Sequence, residues 1–170
     1  MHLKNESSGP GMGKKSTKTS IEINSLTKDL VASFSSRFEQ HNIRVETDLP
    51  NVTADVFPEA IHRAVANLIE NAIDSMPSGG ELLVTLVDCR HQWELEIADT
   101  RSADVLPPTE PDFNPENEPI RLQGMCVQEH LEIANSAAMI HGGQVQTWEC
   151  PQGGTANVLV IPRFAVRKAG

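Results

Sequence analysis

The chain has no tyrosine, and its other aromatics are few: five Phe and two Trp in 170 residues. That scarcity excludes an aromatic platform on which single-stranded nucleic acid would stack. Positive charge is also short, with 14 Lys and Arg against 23 Asp and Glu and a formal net charge of -9. A binder of phosphate backbones carries the opposite balance, so no nucleic-acid partner is expected. Cysteine is limited to Cys89, Cys126 and Cys150, widely spaced and without a C-x-x-C pair. Neither a zinc ribbon nor a disulfide framework fits that pattern, and reduced, partly buried thiols of a cytoplasmic protein are expected instead. No apolar run approaches the roughly 20 residues of a membrane helix. The lysines near the N-terminus are not followed by an apolar segment, so no secretory signal and no direct membrane contact are expected. Glycine is missing from one stretch in particular: between Glu81 and His141 only Gly124 occurs. Five of the 11 prolines crowd between Pro107 and Pro119.

What is present fits one soluble globular domain, with 39% hydrophobic and 22% charged residues. Residues 1–20 are rich in Lys, Ser and Gly and read as a disordered tail or linker. A first helix follows, with Asn24 as its cap and Leu26, Leu30, Val31, Phe34 and Phe38 on one buried stripe, up to His41-Asn42. Arg44 to Leu49 alternates as a strand. A second helix is expected from Pro58 to Ser75, capped by Asp55 or a neighbour, with Ile61, Val65, Leu68, Ile69, Ala72, Ile73 and Met76 toward the core. Strands from Glu81 to Val87 and from Gln92 to Ala98 come next. Thr100 to Gln123 reads as a long loop, because its prolines and five acids exclude a helix or a central strand. A third helix from about Val127 to Met139 stops at His141-Gly142-Gly143, and a hairpin from Val145 to Ile161 closes the domain. This order predicts an α+β fold: a two-layer sandwich with a mixed, mostly antiparallel sheet and helices on one face.

The second helix carries a second stripe. Arg63, Asn67, Glu70, Asn71 and Asp74 follow at helical spacing on one side, away from the apolar positions. A solvated face is the ordinary explanation of such a row. Asparagine is a mediocre helix former, however, and two of them one turn apart offer amide oxygens that a hard cation such as magnesium accepts.

The run from Asn67 through Asn71 to Met76-Pro77-Ser78-Gly79-Gly80 resembles the N-box of sensor histidine kinases of the nitrogen-regulation type. Other segments resemble that family in the right order. Asp99 ends the strand leading into the G1 box, His141-Gly142-Gly143 follows the last helix, and Gly153-Gly154-Thr155 opens the closing strand. The resemblance covers roughly residues 21–163 and implies the Bergerat fold of the GHKL superfamily, in a domain expected over 21–165 with residues 100–123 as the lid loop. It also implies ATP and Mg2+ as cofactors. Asn71 would ligate magnesium, Asn67 would lie near the phosphates in the catalytic centre, and Asp99 would receive the adenine amino group. Arg101, Gly124 and Thr155 would complete the nucleotide contacts. The implied partners are a response regulator or a histidine-containing dimerisation domain.

The sequence departs from the family pattern at the glycines. The G1 box reads D-x-G-x-G, but Arg101 and Ala103 stand at its glycine positions. Counting back from His141, the G2 glycines fall at Cys126, Gln128 and His130, with Gly124 as a shifted relic. Those glycines would let backbone N–H groups approach phosphates. From Ser102 to Ile120 there is no Lys or Arg but five acids, a poor roof for a triphosphate. Arg101 would offer partial compensation, although an exposed loop arginine or a salt bridge to a lid acid is the ordinary reading of such a residue. None of the six histidines lies in a phosphoacceptor context, and each is expected as an ordinary surface or helix-end residue. The expected function is therefore a pseudokinase-like signalling or binding module in a two-component system, with ATP binding weak or lost. The alternative is an active catalytic domain that phosphorylates a histidine on a separate domain.

Overall fold

The computed structural model describes residues 17–101, 119–150 and 153–163; for 101 and 119–127 it describes the backbone alone. The elements run β1 (Thr19–Glu22), α1 (Ile23–Ser33), α2 (Ser35–Gln40), β2 (Ile43–Asp48), β3 (Thr53–Val56), α3 (Pro58–Ser75), β4 (Gly80–Asp88), β5 (Gln92–Arg101), α4 (Pro119–Met139), β6 (Gln144–Glu149) and β7 (Thr155–Pro162). Five strands form one sheet in the order β2-β4-β5-β7-β6. Only β2 and β4 run parallel; the other three pairs are antiparallel. The expected α+β architecture with a mixed, mostly antiparallel sheet is what the chain forms.

Alternation along β5 decides which face of the sheet is dry. Trp93, Leu95, Ile97 and Asp99 are all fully buried, and their partners on β7 are Ile161, Leu159, Asn157 and Thr155. α3 and α4 cover this face. On the other face Leu83 and Val87 stand exposed. α3 begins with Pro58 in its first turn after an extended Phe57, and Glu59 complements the positive helix end. Its apolar stripe, from Ile61 through Ile73, is completely buried. The helix stops before a turn in which Gly79 takes a φ of +94°, a conformation open to glycine.

Several expectations need correction. Asn24 does not cap the first helix. Glu22 holds that position, and the buried Asn24 side chain instead donates to Asn51 Oδ1 and accepts the Val52 N–H. The first helix is two helices, α1 and α2, separated at Phe34. Asp55 does not cap α3, because it belongs to β3, which pairs with β1 in a separate two-stranded sheet. That pairing also takes Thr19 and Ser20 out of the expected tail; residues 1–16 of that tail lie outside the described residues. At the other end of the domain, Thr100 and Arg101 extend β5, and the third helix starts at Pro119 rather than Val127. Proline is tolerated there because a first-turn residue needs no N–H partner within the helix. The intervening part of the expected lid, 102–118, lies outside the described residues.

Candidate functional site

The polar row of α3 is less exposed than its spacing suggests. Asn71, expected on the wet side, is buried, and its Oδ1 has no hydrogen-bond partner among the described residues. A buried amide oxygen left without a donor carries a desolvation cost of about 1–3 kcal/mol. Such an atom is open to a donor or a cation. Asn67 is half-buried, and its Nδ2 donates to the Arg63 carbonyl at 2.8 Å, an i to i−4 contact along the helix.

Asp99 closes the inner row of β5 and is fully buried. Its Oδ1 accepts the Thr155 N–H at 3.3 Å, which joins two of the sequence-predicted site residues across adjacent strands. Gly154 makes this approach feasible. Its φ is +100°, and a Cβ there would lie 2.0 Å from the Asp99 carbonyl oxygen. Arg101 ends β5 and Gly124 lies within α4, but the surroundings of both lie outside the described residues. Cys126, Gln128 and His130, where the resemblance implied glycines, all sit on α4.

Three residues join the site that sequence reasoning had placed elsewhere or passed over. His130 reaches across from α4: its Nδ1 is 2.8 Å from Asn67 Oδ1, 3.5 Å from Glu70 Oε2, and its Nε2 is 3.6 Å from Asp74 Oδ2. Arg37, from α2, lies 3.2 Å from Glu70 and 3.7 Å from Asp74. Glu70 and Asp74 thus lie between Arg37 and the His130 ring, and half-exposed pairs such as those with Arg37 contribute little stability. His141 is not a surface residue. It is buried, its Nε2 accepts the Phe57 N–H at 2.9 Å, and its Nδ1 donates to the Ala137 carbonyl at 2.8 Å. Burial pushes its imidazole below the usual range, the Ala137 bond works against that, and the charge of Lys18 adds to the lowering. This histidine ties the end of α4 to the start of α3. The His-Gly-Gly motif carried a signal for it. Arg37 and His130 left none, since their partners lie tens of residues away.

The site can therefore offer a buried amide oxygen on α3, a buried carboxylate on β5 and a helix wall, α4, opposite the polar row. No group of three or more His, Cys, Asp or Glu that could hold a metal ion occurs among the described residues.

Known proteins resemble the chain in sequence and in fold. Residues 57–165 match the family described as histidine kinase-, DNA gyrase B-, and HSP90-like ATPase. The adaptive-response sensory kinase SasA of Prochlorococcus marinus (strain MIT 9215) is 27% identical over 82 residues, 46% of this chain and 22% of that protein. The chain thus spans about a fifth of that relative's length. Among solved structures, the ATP-binding domain of PrrB from Mycobacterium tuberculosis is 21% identical with a TM-score of 0.61, covering 88% of this chain and 99% of that one. The histidine kinase ThkA, in complex with the response regulator protein TrrA, is 18% identical with a TM-score of 0.61 over 86% of this chain and 42% of that one. At these identities the structural likeness speaks for the fold.

Proposed function

We propose a function from the premise that this chain belongs to the family of histidine kinase-, DNA gyrase B-, and HSP90-like ATPases. It is a histidine-kinase-like ATPase domain of the two-component sensor kinase type, and its role is that of a signalling and binding module in which Mg·ATP is held weakly or not at all. One observation carries this reading. α4 is continuous from Pro119 to Met139. Past its first turn, every backbone N–H of an α-helix points to the carbonyl four residues earlier. The segment at Cys126, Gln128 and His130 therefore has no row of free N–H groups to offer phosphates, and it carries side chains where the family resemblance implies glycines.

The other side of the site fits the nucleotide better. Asn71, with its unpartnered buried oxygen, would hold magnesium, and the buried Asp99 would accept a hydrogen bond from the adenine amino group. Asn67 would lie at the phosphates, with Arg101, Gly124 and Thr155 as the remaining nucleotide contacts. Bound ATP would supply the transferable phosphoryl group, while the chain's own part would be to orient it and to exclude water. These residues support the second reading, an active catalytic domain that phosphorylates a histidine on a separate domain.

The proposed partners are a response regulator or a histidine-containing dimerisation domain, in the cytoplasm. No helix among the described residues is long and apolar enough to cross a membrane. The folded unit is proposed to span residues 21–165 together with Thr19 and Ser20, which β1 adds to it. Calorimetric titration with Mg·ATP decides between the readings: we expect no binding tighter than millimolar. A micromolar affinity that Asn71→Ala abolishes would establish the catalytic alternative and overturn the module.

A further inference from the structure

His130 occupies the polar row of α3 in a specific chemical sense. Asn67 Nδ2 is committed to the Arg63 carbonyl, so its Oδ1 is the free acceptor of that amide. The imidazole Nδ1, 2.8 Å away, must then carry the proton and donate it. The same ring stands between the carboxylates of Glu70 and Asp74, at 3.5 and 3.6 Å. Arg37 faces those two carboxylates from α2. One helical turn beyond Asn67, the amide oxygen of Asn71 is buried and unpartnered. Every polar side chain of the row from Asn67 to Asp74 is thus either engaged by His130 and Arg37 or enclosed.

We propose that His130 is a latch: a built-in occupant of the N-box that competes with magnesium-bound nucleoside triphosphate for Asn67 and keeps the row closed. This rests on the preceding reading of which face a nucleotide would meet. The chemistry of the competition is direct. A phosphate oxygen needs a donor at Asn67, whereas the contact with His130 orients that amide with its oxygen outward and its NH2 turned back to the helix. Entry of the triphosphate requires the imidazole to leave and the amide to turn over. The imidazole also adds a ring to α4 at a position where a glycine would add nothing. A partner protein that draws α4 away from α3 would release the same latch, which makes nucleotide affinity a property that docking can change.

The test is a calorimetric titration of Mg·ATP into the wild-type chain, H130A and the double variant H130A/N71A. H130A should bind at least about tenfold more tightly than wild type, a change of about 1.4 kcal/mol, and the added N71A should remove the gain. Equal dissociation constants for wild type and H130A overturn the latch, whether both are weak or both are tight. Micromolar binding by the wild type overturns the weak-binding reading of the preceding subsection and leaves the difference between the two chains to decide the latch. A purely packing role for His130 would lower the melting temperature of H130A without changing its affinity, and that outcome also overturns the proposal. Should H130A lose its circular-dichroism signature, H130Q is titrated in its place and the same outcomes decide.

Discussion

The two sides of the site hold their backbones for different reasons. On the β5 side, Asp99 is fixed by the strand register, by the Thr155 N–H and by the close passage of Gly154. On the α4 side, the backbone is fixed by helix geometry and by the packing of Ala134 and Ala138 into the core, and its side chains reach into the space opposite, as His130 does toward Asn67. Gly154 must be glycine because protein backbone lies 2.0 Å from where its Cβ would be. On the proposed reading, Cys126, Gln128 and His130 stand where the family resemblance implies glycines that would serve a ligand. Glycines that serve the fold and glycines that serve a nucleotide are separate demands, and on the proposed reading this chain meets the first without the second.

The contrast can be broken most forcefully at Gly154. Gly154→Ala should destabilise the domain by roughly 3 kcal/mol or more, since it combines a forbidden φ with a collision against the Asp99 carbonyl. Urea unfolding followed by circular dichroism measures this, and a loss below about 1 kcal/mol would show that the β5 side tolerates the same replacements as α4.

A graded effect is expected at His141, which joins the two sides. Its folded pKa lies below the unfolded value because burial disfavours the charged ring. The stability it contributes is therefore fully present above about pH 6.5 and is lost as pH falls through the lowered folded value. Protonation would also turn Nε2 from an acceptor of the Phe57 N–H into a donor facing it. Unfolding measured across that window should show H141Q flatter with pH than wild type; identical slopes would remove His141 from the account.

The smallest effect is expected at Asn71. Because its Oδ1 has no partner among the described residues, Asn71→Ala should leave stability within about 1 kcal/mol of wild type. Leu68→Ala, on the neighbouring apolar stripe, should cost about 2–5 kcal/mol. Thermal melts of the two variants side by side sharpen the distinction between a residue that holds the fold and one kept for a ligand. A large loss at Asn71 would assign it to the fold.

Much of the α3 and β5 side was legible in the sequence because its signals are local. Pro58 at the helix start, the repeat from Ile61 to Ile73 and the alternation from Trp93 to Ile97 each need only a few neighbouring residues to be read. Elements missed were those whose reason lies far along the chain. β3 is four residues whose partner is β1, and Asn24 binds Asn51 and Val52 rather than its own helix end. The early start of α4 ran against Pro119, which composition read as a loop residue and which the first turn of a helix accepts. His130 could not be assigned a role from sequence, since its contacts to Asn67, Glu70 and Asp74 arise from the way α4 crosses α3.

The single parallel pair in the sheet bears on how the chain reaches this state. β4 and β5, like β6 and β7, meet across short turns, so each hairpin closes a small loop. β2 can meet β4 only after the chain has travelled out through β3 and back along α3. That connection brings entropy loss before any ladder bond rewards it, unless α3 has already gathered the intervening residues into a rod. The helix that bears the polar row is thus also the splint by which β2 is added to the sheet.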